Sequence, residues 1–386
     1  MNNTQKNSIR TTVAIIVLCA LILLLAAGNL LIGSVDIPTS EIMSILAGNG
    51  ASNPVMEIII LESRIPTIIT ALLGGAALTV CGLLLQTVFN NPLADPSILG
   101  VSTGASLGVA IVMLLGGGLL GSAFDSELSG YISTLAGAFA GAMAVLAMLL
   151  IFSTFVKSET MLLIIGIMVS YLTSSAISLL NFFASEEGVH SYVVWGMGNF
   201  SSVTTDQLIS FSVIVVIGLV AALLMVKPLN ALLLGTKYAE NLGVNIQSTR
   251  NWLLLITGIL TAVLTAYCGP IAFIGLVVPH IARMLLKTSN HNSLLPVTML
   301  TGSAMALLCT FISVLPVSIG IIPINAITPV ITETSCSQLS PPKITITFFN
   351  QNSPFFSLIP IGQIVEKGNY VARFRPFAYY LFRFFG

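Results

Sequence analysis

Charge is what this sequence has least of. Lys, Arg, Asp and Glu make up 7% of its 386 residues, where an ordinary soluble domain carries ~25%, and the shortfall excludes a water-facing globule. Fourteen basic residues balance fourteen acidic ones, so there is no net positive field to hold nucleic acid and no acidic tail. Cysteine is scarce as well: Cys19, Cys81, Cys268 and Cys309 lie far apart inside apolar runs, which excludes a disulfide framework and a CxxC metal pair. Three histidines without an HExxH string, and the shortage of paired carboxylates or an activated Ser or Cys, argue against a catalytic centre. No G-x-x-x-x-G-K-[ST] loop occurs, which excludes ATP hydrolysis of the P-loop kind by this sequence.

Apolar residues fill the rest, at 55% of the chain with a mean hydropathy of +1.00. A membrane-spanning helix needs roughly 20 mostly apolar residues. About nine such runs precede residue 330, near 12–33, 65–86, 97–116, 131–155, 161–183, 207–227, 251–268, 271–286 and 294–315. The first follows Lys6 and Arg10; it is longer than the ~7–15 apolar residues of a secretory signal and reads as a retained anchor. Gly269, Pro270 and Pro279 interrupt the later runs. Broken helices at membrane depth are tolerated where they face protein or a water-filled cavity, so this zone is a candidate moving part, with a kinked packing helix as the equal alternative.

With a cytoplasmic N-terminus the loops alternate. Lys6, Arg10, Lys157, Lys227, Lys237, Arg250, Arg283 and Lys287 then fall inside and Arg64 falls outside, as the positive-inside rule asks. Most acidic residues, among them Asp36, Glu41, Glu62, Asp125, Glu186 and Asp206, fall outside, leaving Asp95, Glu159 and Glu240 inside.

Gly100, Gly104 and Gly108 in the third run and Gly137 and Gly141 in the fourth form small-xxx-small ridges, which pack helices by close backbone approach. Internal packing is favoured over a dimerisation face. Lys227–Asn251 is the longest polar stretch on the inner side; Thr236 to Leu242 has room for two helical turns, with Thr236 placed to cap and Tyr238 and Leu242 on one face. It reads as a docking knob or as a plain connecting loop. In Gln86–Gly104, Pro92 and Pro96 bias Asn91 and Asp95 away from α-helix and force a turn. Asp95 there either caps the next helix or holds a neighbouring loop.

Three strings carry a family resemblance: RIPTIITALLGGAALTVCGLLLQTVFNNPLADPSILGVSTGAS from Arg64, LLLGTKYAENLGVN from Leu232, and GPIAFIGLVVPHIARML from Gly269. They resemble the FecCD-type permeases, the membrane subunits of ATP-binding cassette importers for iron-siderophores, haem and cobalamin. The likeness runs from about residue 12 to 330. It implies an all-α polytopic membrane protein with a ten-helix bundle, pairing with a second permease copy, a cytoplasmic ABC ATPase dimer and an extracytoplasmic substrate-binding protein, in a bacterial cytoplasmic (inner) membrane. No cofactor, no resident metal and no nucleic acid are implied.

The resemblance also implies residue roles. Gly235, Ala239, Glu240, Leu242 and Gly243 belong to the segment that couples to the ATPase. Arg64 stands where the family places an arginine that meets an acidic residue of the binding protein, and a second arginine of that motif is replaced by Thr67. Asn91, Pro92, Asp95, His280 and Arg283 are expected at the cytoplasmic interface. The chain departs from the family near Leu307 and Val314, and again after Val330, where a tenth apolar helix is expected and a Ser-, Pro- and Phe-rich string stands instead. Residues 331–386 therefore read as an atypical tail of shifted-frame character, replacing the last span after a permease domain at 1–330. A secondary transporter with inverted repeats is the alternative class, but the spans hold almost none of the ionisable residues that ion coupling needs.

Overall fold

The computed structural model describes residues 3–115, 127–156, 158–315 and 322–339. Asp125, Lys157 and the tail from residue 340 onward lie outside them. Backbone polar groups in a bilayer must be satisfied within the segment or within a closed barrel, and the described chain takes the helical solution throughout. The helices are α1 Asn3–Leu31, α2 Thr39–Leu46, α3 Pro54–Ile58, α4 Ile65–Val88, α5 Val101–Ala110, α6 Glu127–Phe155, α7 Glu159–Phe183 and α8 Glu186–Gly196. Then come α9 Thr205–Leu224, α10 Val226–Leu232, α11 Thr236–Asn241, α12 Ile246–Cys268, α13 Ile274–Leu286, α14 His291–Val314 and α15 Ile324–Leu339.

Seven described helices are long and apolar enough to cross a membrane. The second runs from Pro54 to Val88, beginning well before the run expected at 65. Asn53 opens it by accepting the Val55 N–H at 3.0 Å, and a π-helical turn at Ile59–Arg64 carries α3 into α4. Pro66, which has no N–H to give, sits in the first turn of α4 just after that wider winding.

The third and eighth runs are shorter helices, Val101–Leu114 and Ile274–Leu286. Gly100, at φ +84°, holds the chain in a turn until Val101. Gly269 at φ +73°, Pro270, and Phe273 at φ +69° delay the start of α13, so the expected helix break is real. The domain boundary placed at 330 falls inside α15, which holds Pro329 and continues to Leu339.

The bundle is built around α4, α12 and α14. A Cβ on Gly75 would lie 2.3 Å from the Gly302 carbonyl oxygen, so α4 and α14 touch backbone to backbone and only glycine fits. Hydroxyls stitch the same seam: Ser303 Oγ donates to Leu72 O at 2.8 Å. The glycine ridges of α5 and α6 meet likewise, with a Cβ on Gly108 reaching 1.9 Å from Gly137 O. That settles them as internal packing.

Hydrogen bonds also sort the loops to two ends. The α1 C-terminus, the π turn and Thr205 converge at one end, through Arg64 to Leu30 O and Thr205 Oγ1 to Leu61 O. The α4 C-terminus, the α10–α11 segment, the α13 C-terminus and the α14 N-terminus converge at the other. This is the alternation expected of successive spans.

Candidate functional site

At the second end, the chain leaves α9 at Leu224 and makes α10 and α11 before re-entering as α12. Thr236 does not cap α11: Gly235, at φ +96°, is the N-cap and no side chain bonds there. Glycine, which alone adopts this extended positive-φ conformation readily, takes the cap position, so threonine becomes the first helical residue.

Gly243, at φ +83°, closes the other end in a Schellman arrangement, with Val244 N to Ala239 O at 3.1 Å and Gly243 N to Glu240 O at 2.9 Å. Asn245 then caps α12 by accepting the Ser248 N–H at 2.9 Å. The two helices are thus joined by a tight, fully bonded elbow. Ala239 is buried beneath it, while Leu234, Tyr238 and Leu242 stand 61%, 54% and 58% exposed at a spacing of four. Glu240 is exposed beside them. An apolar stripe on a polar loop of a membrane protein is a surface waiting to be covered by protein.

Beneath this elbow lies a polar platform. Arg283 Nη2 donates to Gln86 Oε1 at 2.6 Å, and Gln86 Nε2 to Leu276 O at 3.0 Å, which ties the last turn of α4 to both ends of α13. His291 is buried at the start of α14: its backbone N–H donates to Asn230 Oδ1 at 2.8 Å and its Nε2 lies 3.0 Å from Thr87 Oγ1. A cavity of about 190 Å³ sits between Leu232 and Leu233 on one side and Asn90, Asn91, Pro92, Arg283 and His291 on the other.

Asn91 closes its own turn by accepting the Leu93 N–H at 2.9 Å. Asp95 is buried and accepts from Ser97 N at 3.2 Å and from Ser97 Oγ. It caps neither α5, whose N-cap is Gly100, nor a neighbouring loop. Burial pushes its carboxyl above the usual range, and the two Ser97 bonds partly offset this. Arg283, Asn91 and Pro92 come together around the cavity with Leu232 and Leu233 of α10, whereas Gly235, Ala239, Glu240, Leu242 and Gly243 do not line it and His280 is exposed on α13.

At the opposite end Arg64 is turned inward. It is 7% exposed, and its guanidinium donates to Leu30 O, Leu31 O and Val35 O. Those carbonyls at and just beyond the end of α1 have no helical partner, so the charge is spent as a C-cap rather than presented to a docking carboxylate. Arg250 does the same on the inner side for α6: Nε donates to Ser153 Oγ at 3.0 Å and Nη2 to Val156 O at 2.8 Å. Asp36 is the acidic neighbour that acts on Arg64, and Glu62, Glu186, Glu187 and Asp206 are exposed as well. Glu41 is held below the usual carboxylate range by the Ser52 hydroxyl and N–H.

Asn230, Thr87, Gln86, Arg250 and His291 were not marked as site residues by sequence reasoning. The one available signal was the polar island Lys287–Ser293 facing the polar stretch from Lys227 across the two intervening helices α12 and α13, and a one-dimensional reading has no means of pairing the two.

The pattern of the FecCD transport family matches residues 18–334. The chain is 35% identical over 295 residues to the molybdate import system permease protein of Haemophilus influenzae, covering 75% of this chain and 84% of that one. It is 32% identical over 291 residues to the hemin transport system permease protein of Yersinia pestis, with the same coverage, 75% and 84%. A solved structure of a metal-chelate type ABC transporter in an inward-facing conformation superposes with a TM-score of 0.70 at 33% identity, covering 83% of this chain and 96% of that one.

Proposed function

Since the chain belongs to the FecCD transport family as a permease subunit of an ABC transporter, itself no ATPase, we propose that it imports a metal chelate of the iron-siderophore, haem or cobalamin type. It works as a pair of copies in a bacterial cytoplasmic membrane, with the inner elbow seated on an ATPase dimer and the exposed acids of the outer loops meeting a binding protein.

The observation that carries this reading is the elbow. Gly235 and Gly243 have open space where a Cβ would stand, Leu242 and Tyr238 project outward, and Ala239 and Glu240 fix the helix that presents them. That is a short, rigid, partly apolar knob, suited to a cleft that closes on ATP. The likeness to the hemin permease and to the metal-chelate transporter supports a chelate as cargo. The likeness to the molybdate permease favours an oxyanion as the second reading.

Along α7, the exposed Tyr171, Ser174, Ser175 and Ser178 form a hydroxyl stripe on a spanning helix. Ser178 Oγ donates to Ser174 O at 3.0 Å within the helix, and the outward-facing hydroxyls as a set suit a water-filled path between two copies. For docking, a basic face on the binding protein would complement the exposed acids, with Arg64 holding the loop beneath them.

Reconstitution with the ATPase subunit in vesicles tests the proposal. Uptake of a ferric chelate or corrinoid that requires ATP is the expected result, and Tyr238→Ala with Leu242→Ala should weaken ATPase binding about tenfold while leaving the bundle intact. Uptake driven by an ion gradient without ATP would overturn it.

A further inference from the structure

The transport reading leaves open how a push on α11 reaches the spans. α11 packs on α10 and α12, and α10 in turn lies against α14 and α4. On the α10 side, ordinary packing is interrupted by the 190 Å³ cavity between Leu232, Leu233 and the platform. The cavity is half open and partly polar, so across it the two sides meet through solvent rather than through direct contact.

What crosses beside that void is a chain of hydrogen bonds. Asn230 on α10 accepts the His291 backbone N–H at 2.8 Å, its Oδ1 lies 3.1 Å from His291 Nδ1, and its Nδ2 donates to Asn290 Oδ1 at 3.1 Å. Asn290 is itself the N-cap of α14, bonding Asn292 N at 3.0 Å. On the far side, His291 Nε2 lies 3.0 Å from Thr87 Oγ1 at the inner end of α4. One amide side chain therefore grips the first turn of α14 at three points, and the imidazole hands the connection on to α4. These are the two helices that touch backbone to backbone at Gly75 and Gly302.

We propose that Asn230 and His291 are the tie through which the coupling segment moves the α4–α14 pair, acting as positioning residues that set how much transport each ATP hydrolysed delivers. The inference rests on the ABC permease reading. It differs from a stabilising role because α4 and α14 hold each other through their glycine seam without the tie. Loss of Asn230 leaves the pair packed and α10 still seated through the buried Leu229, but removes its polar grip on the first turn of α14.

The test uses the full complex of permease and ATPase subunits in proteoliposomes, with ATP hydrolysis and substrate uptake measured in the same vesicles. Asn230→Ala and His291→Ala are expected to keep hydrolysis within about twofold while uptake per ATP falls about 5- to 10-fold, the scale of a typical coupling between sites. Asn230→Asp keeps the acceptor for the His291 N–H and should retain most of the ratio. Asn230→Cys with Asn290→Cys, closed by a short thiol cross-linker, should restore the ratio, and reduction of a cleavable linker should abolish it again. An unchanged ratio in both alanine variants, or a cross-link that restores nothing, would overturn the tie. If an alanine variant fails to assemble, the cross-linked pair before and after cleavage decides alone. Failure of the unaltered complex to couple uptake to ATP would overturn the transport reading instead, which keeps the two failures apart.

Discussion

Three of the seven long spans and the other four are built on opposite rules. The segments Pro54–Val88, Ile246–Cys268 and His291–Val314 are 78%, 72% and 67% buried in protein over their most apolar windows. The spans at Ser8–Leu31, Gly130–Phe155, Glu159–Phe183 and Thr205–Leu224 are 22–28% buried. In water the buried set would be the more hydrophobic. Here α12 and α14 are the least hydropathic of the seven, because a span surrounded by protein can carry groups that bond within it, whereas one facing lipid cannot. Buried Thr79, Thr257, Thr261, Thr298, Thr301 and Thr310 all lie in the central three. Thr79 Oγ1 shows the use, reaching Gly75 O at 2.9 Å within its own helix and Thr298 O at 3.2 Å on the next.

The contrast can be broken at its strongest point first. Gly75→Leu forces a side chain into space where a Cβ already lies 2.3 Å from the Gly302 carbonyl oxygen. A loss of more than about 3 kcal/mol is expected, read as failure to recover monodisperse protein in detergent. Next come the two caps that fasten peripheral spans to the rest. Arg64→Ala and Arg250→Ala each strip charge-assisted bonds from helix-end carbonyls and should each cost about 3 kcal/mol. Lysine should rescue only part of this, since a point ammonium cannot serve carbonyls that a planar fork spans. Thermal unfolding in detergent checks both.

Leu172→Ala sharpens the other side of the comparison. Leu172 is 70% exposed on α7, and a shift within about 0.5 kcal/mol is expected. The smallest effect lies at the rim. The Ser52 bonds lower the Glu41 carboxyl below its ordinary value of 4.5, so their ordering of the 41–52 loop is fully present above that value. It is lost as pH falls through the lowered one. The protection of the Ser52 amide, taken relative to its intrinsic exchange rate at each pH, should therefore fall on acidification, and Glu41→Gln should show reduced protection at every pH.

Sequence alone reached the helical class, the nine apolar runs, the break at Gly269–Pro270 and the glycine ridges, because each is a local pattern with a fixed period or a fixed breaker. It also placed Gly235 and Gly243 as the punctuation of the elbow. It misjudged where charge goes. Arg64 looked like a docking residue because it stands at the family's motif position on the outer side, and nothing local reveals that α1 ends beside it with carbonyls to spare. Thr236 looked like a cap since threonine is a good one, but the adjacent glycine already had the required geometry. The Asn230–His291 pairing joins residues 61 apart in sequence, and the run in between consists of two further spans.

The bond between Asn29 Nδ2 and Leu307 O, 3.1 Å long, joins residues 278 apart, and Gly28 lies against the Phe311 ring. During synthesis the first helix therefore waits for its lasting neighbour until nearly all other spans have entered the membrane. Arg64, 34 residues from Leu30, can hold it meanwhile. The arginine cap is then an assembly device as well as a fastener: it parks the first helix against the second from the start of biogenesis, and the arrival of α14 closes the bundle around them.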